Sequence, residues 1–150
     1  TNIWIMHKSS SNQKWLKIIF YLLGVFFLLI LLQMFVPFFQ NIMQGPVFLV
    51  PFIIFAVLGA ILFRLTLITK LQKKQKMFFL ICSISATGVF ISIFLHNFFY
   101  AISTILENIA FLALTATALE ILFFFVAIII CPIAFIIGYI GSIVLLLKQN

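Results

Sequence analysis

The stretch KLQKKQK at residues 70–76 is the most basic part of the chain, and long apolar runs flank it on both sides. Lysines next to apolar spans are retained on the cytoplasmic side of a membrane, which is the positive-inside rule. All nine Lys and Arg residues fall on segments that would share this side, whereas the two acidic residues, Glu107 and Glu120, fall on the other. The charges therefore predict a membrane topology.

The composition excludes an ordinary soluble domain. Of the 150 residues, 66% are apolar and 7% are charged, which is too little polar surface to cover a soluble globule. The length allows about four or five membrane spans of roughly 20 residues each. We interpret the net charge of +7 as cytoplasmic retention and attraction to anionic lipid, and we expect the lipid bilayer, not nucleic acid, as partner.

The apolar runs predict an all-α polytopic membrane protein with a single integral membrane domain, in which four transmembrane helices form a bundle. The predicted spans are about 15–36, 47–68, 77–100 and 121–147. Pro37 is expected to end the first span, and Pro46 or Pro51 to lie in the first turn of the second. Both termini are expected in the cytoplasm, in the plasma membrane of a bacterium or archaeon.

Residues 101–120 are ambiguous, because the apolar character never lapses between the third and fourth spans. They could form an interfacial segment, a re-entrant element, or continuations of the two helices beyond the lipid. A fifth span is disfavoured because it would put Lys148 opposite the other lysines. A helix over 77–108 would be roughly 48 Å long, beyond the roughly 30 Å hydrocarbon core, so we expect a short outer helical hairpin extending helices 3 and 4.

Small residues follow one face of the third span and one face of the fourth. Because lipid supplies no hydrophobic drive between helices, close backbone approach at such residues favours association. These residues are predicted to pack the two helices together: Ser85, Gly88, Ser92, Ala127, Cys131, Ala134, Gly138, Gly141 and Ser142.

Four polar residues form the candidate polar or ion site: His96, Tyr100, Glu107 and Glu120. Ionisable groups near membrane depth are costly and tend to be paired or functional. A hairpin turn near residues 113 and 114 would put Glu107 level with Glu120, and His96 level with Cys131. Two facing carboxylates would invite a cation or a basic partner between them. The alternative is that both glutamates are solvated loop charges.

The remaining polar features predict structural roles. Cys82 and Cys131 lack C-x-x-C spacing and are interpreted as reduced packing residues. Pro132 removes a helix hydrogen bond and is expected to kink the fourth span, Gln33 to hydrogen-bond another helix, and Arg64 to anchor at the interface. We expect no metal site and no cofactor, since structural zinc needs about four good ligands.

No catalytic motif is present, because the chain has no Asp and lacks both a nucleophile–base cluster and a redox cysteine pair. We therefore predict that it is not an enzyme, and that it acts as an accessory or interaction subunit on a membrane-protein partner. Aromatic faces on the first two spans, which four helices cannot all bury, favour this reading. The alternatives are a homo-oligomeric channel or small-solute or ion carrier using the outer His/Glu site, or a small immunity- or sensor-type membrane protein.

Overall fold

The structure is a computed structural model that describes residues 2–42 and 45–148, with side chains described for residues 11–39, 41–42, 45 and 47–148. The side chain of Lys8, one of the basic residues counted above, lies outside this set. Within the described residues all regular secondary structure is helical, without a strand. The predicted all-α fold class is therefore confirmed.

The helices follow one another with short connections. In chain order they are α1 (Asn2–Phe35), α2 (Pro37–Ile42), a 3₁₀ segment (Gly45–Leu49), α3 (Val50–Ile68), α4 (Lys73–Ile105), α5 (Ala110–Phe125), a π-helical turn (Val126–Ile130) and α6 (Cys131–Leu147). Among the described residues, four helical segments are long and apolar enough to cross a membrane: Ser11–Phe35, Val47–Ile68, Lys73–Ile105 and Ala110–Leu147.

Prolines lie close to the helix ends, as the sequence predicts. α1 ends at Phe35, two residues before Pro37, because a residue that precedes proline is disfavoured in the α region and proline has no N–H to donate. Pro51 lies in the first turn of α3, where a missing N–H leaves no intrahelical bond unmade. Of the two prolines proposed for that turn, Pro51 occupies it, whereas Pro46 belongs to the 3₁₀ segment.

The long helices pack mainly as neighbours in chain order. α1 lies against α3, α3 against α4, and α4 against both α5 and α6. Thr87 of α4 supports the α3 contact, since its Oγ1 lies 3.4 Å from the carbonyl oxygen of Ala56. α4 is therefore the central helix of the structure.

Aromatic rings connect α1 and α6 across the interior. The ring of Phe135 is 1% exposed and lies 4.6 Å from the ring of Phe27 and 5.1 Å from that of Phe55. Nearer the other end of the helices, Phe20 stacks on Tyr139 with ring centroids 4.4 Å apart. Buried phenylalanines fill the wide spaces between helices that small residues alone would leave open.

The helical segments begin and end at two opposite ends of the structure. One end, which we call the basic end, contains a shallow pocket of about 150 Å³. Its lining includes Gln13 and Lys17 of α1, Lys70 and Gln75 around the α3–α4 connection, and Leu146 of α6. The 106–109 turn between α4 and α5 lies at the opposite end, which we call the turn end. Successive long helices therefore run in alternating directions.

Candidate functional site

His96 of α4 meets Glu120 of α5 near the turn end. Its Nδ1 lies 3.2 Å from the backbone carbonyl oxygen of Glu120 and 3.9 Å from the carboxylate oxygen Oε1 of the same residue. The ring of Phe124, one turn further along α5, lies 5.3 Å from the imidazole. Both polar side chains are partly exposed, 27% for His96 and 19% for Glu120, so the pair lies at the edge of the packed interior.

The expected position of the hairpin turn is wrong. The turn lies at 106–109 and not near residues 113 and 114, so Glu107 is not level with Glu120, and His96 is level with Glu120 instead of Cys131. Glu120 follows the start of α5 by ten residues, a rise of about 15 Å from the turn. The physical reason is that Asn108, a residue type favoured in turns, follows the charged Glu107 just beyond the end of α4.

Two of the four candidate polar residues remain apart from the His96–Glu120 pair. Tyr100 lies one turn beyond His96 on α4 and is largely exposed, and its carbonyl oxygen accepts hydrogen bonds from Ser103 and Thr104. Glu107 is exposed in the turn itself. The structure therefore brings together His96 and Glu120 and leaves Tyr100 and Glu107 on the surface.

A cavity of about 310 Å³ opens beside His96. Its described lining comes from α1, the 3₁₀ segment, α3, α4, the end of α5, the π turn and Pro132, and among these described residues His96 is the single polar side chain. Phe52, Phe55 and Val89 form the buried floor, and the exposed side chains of Phe35 and Phe124 form the rim. Sequence reasoning missed this cavity, for which Pro132 was the only available signal.

The π turn shapes one wall of the cavity. Pro132 cannot donate a hydrogen bond to the carbonyl of Ile128, so the regular i→i−4 ladder is interrupted. The Cys131 N–H instead donates to the carbonyl of Val126, an i→i−5 bond that defines the π turn Val126–Ile130. Ala127 and Ile128 in this turn line the cavity. The helix disruption predicted at Pro132 therefore takes the form of a π turn.

The residues predicted to pack helices are all buried or half-buried, and several lie where α4 and α6 approach closely. A Cβ atom added to Gly138 would lie 2.7 Å from the backbone nitrogen of Cys82, and one added to Gly88 would lie 3.2 Å from Sγ of Cys131. An added Cβ at Gly141 would overlap the ring of Phe78. These distances leave no room for a side chain at Gly138, and the packing role itself stays a prediction.

The other polar residues discussed above occupy defined positions. Gln33, 0% exposed, donates from Nε2 to the carbonyl oxygen of Phe48 at 2.8 Å, which confirms the predicted hydrogen bond to another helix. Its Oε1 has no hydrogen-bond partner among the residues that the structure describes. Cys82 and Cys131 are both buried and free, and Arg64 is exposed on α3.

The residues available for metal or covalent chemistry are few. Among the residues that the structure describes, no three His, Cys, Asp or Glu side chains cluster in a way that could hold a metal ion. The His96–Glu120 pair can donate and accept hydrogen bonds at the mouth of an apolar cavity. Its chemistry fits recognition of a polar group on an otherwise apolar ligand.

Comparison of the chain with known protein families, with curated proteins and with solved structures gives no match.

Proposed function

We propose that the chain is an integral membrane protein with four spans, a bundle in which the basic end faces the cytoplasm. Four long apolar helices in alternating directions support this topology. Lys17 and Lys70 lie together at one end, beside the connection that carries the other loop lysines, whereas Glu107 lies at the opposite end. This separation matches the positive-inside rule, with both termini in the cytoplasm.

Within that topology, the protein acts as a non-catalytic accessory subunit that binds a membrane-protein partner. The observation that carries this proposal is an apolar helical hairpin longer than the lipid can cover. α4 has 33 residues and is about 50 Å long, against a hydrocarbon core of roughly 30 Å. Counted from Met77, about 20 residues cross the core and end near His96. Residues 97–105 then extend about 13 Å further.

The extended part of the hairpin carries large exposed apolar side chains. Ile105 and Phe111 are each 77% exposed and Leu114 is 71% exposed, all of them close to the 106–109 turn. Apolar surface outside the hydrocarbon core destabilises by about 25 cal/mol for each Å² left in water. Large exposed apolar patches are typical of protein interaction sites. A partner that covers the hairpin would remove this penalty.

Site-specific photo-crosslinking in the native membrane tests the accessory role. A benzophenone amino acid replaces Phe111 of α5, at the hairpin. The matched control replaces Phe94 of α4, which is also exposed but lies within the length of helix expected to face lipid. We expect a discrete crosslinked protein from position 111 and a weaker or absent product from position 94.

Two outcomes would overturn the accessory role. A crosslink from position 111 to a second copy of the chain favours the homo-oligomer. Absence of any crosslink, together with a monomer in native mass spectrometry after gentle extraction, removes the partner altogether.

The channel or carrier alternative has one supporting observation, the meeting of His96 with Glu120. The adjoining cavity is otherwise apolar, which is unfavourable for a hydrated ion. The immunity- or sensor-type alternative stays a prediction without a supporting contact.

A further inference from the structure

The cavity beside His96 has the size and lining of a small-molecule site. Its volume of about 310 Å³ falls at the lower end of the range of about 300–1,000 Å³ typical of ligand pockets. Such pockets are lined mainly by apolar and aromatic side chains with a few placed polar groups. Here aromatic rings from α1, α3 and α5 surround the space, and His96 supplies the polar group.

The exposed rim residues of the cavity include Phe35 of α1, 75% exposed, and Phe124 near the end of α5, 44% exposed. α1 and α5 are not among the closely packed helix pairs of the described residues. Both rim residues belong to segments that are long and apolar enough to cross a membrane. In an inserted chain the opening therefore faces lipid, and a ligand would enter sideways from the bilayer. Water is a poor occupant, because an apolar cavity offers it too few hydrogen-bond partners.

His96 offers a hydrogen-bond acceptor at this site. A carbonyl oxygen can only accept, so the 3.2 Å contact with the Glu120 carbonyl places the hydrogen of the neutral ring on Nδ1. The other ring nitrogen, Nε2, is then an acceptor, and it has no hydrogen-bond partner within the described part of the chain. A hydroxyl group on a ligand would supply the missing donor.

Charge around the mouth selects against an anionic ligand. The Glu120 carboxylate lies 3.9 Å from the imidazole, and a second negative group there would be repelled. The described basic side chains belong to the basic end, with Lys17 and Lys70 lining its pocket, so none of them is placed to neutralise a phosphate or carboxylate at His96. The head group that fits is neutral.

We propose that this cavity binds the single alkyl chain of a neutral amphiphile, with its hydroxyl head donating to Nε2 of His96. The chain lies over Phe52, Phe55 and Val89, where it fills the apolar volume. The proposal rests on the membrane insertion proposed above and is independent of the accessory role, because the hairpin crosslink and the cavity test use different surfaces.

Photolabelling of the full chain in phosphatidylcholine nanodiscs tests the site. The probe is lauryl alcohol with a diazirine in its chain, and labelled peptides are located by mass spectrometry. We expect labelling concentrated on the peptides that carry Phe52, Phe55 and Val89, and competition by excess lauryl alcohol but much less by laurate. Labelling spread evenly over lipid-facing surfaces, or labelling that excess lauryl alcohol does not reduce, would overturn the proposal. This competition uses the unaltered protein and needs no variant to fold.

A matched pair of variants locates the chain within the cavity. Ala127 lines the cavity and is buried, whereas Ala118 is exposed and does not line it. Ala127→Phe should remove the competable labelling, and Ala118→Phe should leave it unchanged. If Ala127→Phe fails to fold, Ala127→Leu fills less of the space and should reduce the labelling in part. Full labelling in a folded variant at position 127 contradicts the assignment.

His96→Leu tests the polar end separately. The variant keeps an apolar wall, so the chain should still bind. Loss of one hydrogen bond should raise the half-competing concentration of lauryl alcohol by about tenfold and reduce its advantage over laurate. An unchanged ratio between alcohol and acid would overturn the role of Nε2.

Discussion

The imidazole of His96 is closer to the backbone of Glu120 than to its side chain. Nδ1 lies 3.2 Å from the carbonyl oxygen and 3.9 Å from the carboxylate oxygen Oε1. The first distance is within hydrogen-bonding range, and the second is too long for a hydrogen bond. The backbone of α5 therefore orients the ring, and the carboxylate contributes mainly negative charge at the cavity mouth.

This difference predicts unequal effects for substitutions of the two residues. Glu120→Gln keeps the carbonyl contact and should lower the free energy of unfolding by less than about 1 kcal/mol, because the carboxylate lies 3.9 Å from the ring and is partly exposed to solvent. His96→Ala removes both the hydrogen bond and the ring packed near Phe124, and should lower it by about 1–3 kcal/mol. Denaturant unfolding in mixed micelles measures both. An equal loss for the two variants would assign the interaction to the carboxylate instead.

Gly138 is predicted to be intolerant of a side chain. Gly138→Ala should destabilise the protein by about 1–3 kcal/mol, because the added Cβ meets the backbone of Cys82, which cannot move without separating α4 from α6. Gly88→Ala is the matched control in the same α4–α6 contact, since its added Cβ meets only the side-chain sulfur of Cys131, at 3.2 Å. Thermal unfolding followed by circular dichroism compares them. A smaller loss at Gly138 than at Gly88 would show that the α4–α6 contact is not tight there.

Gln33 should tolerate an apolar replacement better than an acidic one. Gln33→Met removes the bond to Phe48 together with a buried oxygen that has no partner among the described residues, so we expect a loss of about 1 kcal/mol. Gln33→Glu has no donor for the carbonyl and brings an ionisable group into a site that is 0% exposed, so we expect a loss of several kcal/mol, on the order of that for an unpaired buried charge. The same unfolding assay distinguishes them. Equal stability of the two variants would mean that water reaches this position.

The proposed topology predicts which positions share a side of the membrane. Asn41 and Asn108 lie toward the turn end. Gln72 lies at the basic end, where its exposed side chain is accessible to a labelling reagent, unlike the buried side chain of Gln75. Single cysteines are introduced at these three positions after Cys82 and Cys131 have been replaced by alanine. We expect Asn41→Cys and Asn108→Cys to react with an impermeant thiol reagent from outside the cell. We expect Gln72→Cys to react only after the cells have been permeabilised. Labelling of Gln72→Cys together with either of the others in intact cells would contradict the charge argument.

The sequence predicted the apolar helical segments because their determinants are local. The positions of Pro37 and Pro51 locate the end of α1 and the start of α3, whereas α5 begins at Ala110, well before the start predicted for the fourth span. Gln33 was recognisable as an isolated polar residue in an apolar run, for which another helix was the available partner. The disruption at Pro132 was also predictable from the missing N–H, although its form as a π turn was not.

The candidate site was predicted only in part. His96 and Glu120 were singled out as costly ionisable groups, yet their pairing depended on where the hairpin turns. A displacement of the turn by one residue lengthens one helix and shortens the other, so it moves each residue of α5 along α4 by about 3 Å. The weak turn signal of Glu107 and Asn108, without a proline or glycine, did not fix that register in advance.

By itself, the sequence determined an all-helical chain with four segments apolar enough to cross a membrane, and a separation of basic from acidic residues along it. These properties depend on residue type and on spacing within single segments. Tertiary structure alone decided that His96 meets Glu120, that Gly138 lies against the backbone of Cys82, and that a cavity forms beside His96. Each of these depends on the register and separation of helices distant in sequence, which packing of all the side chains sets together.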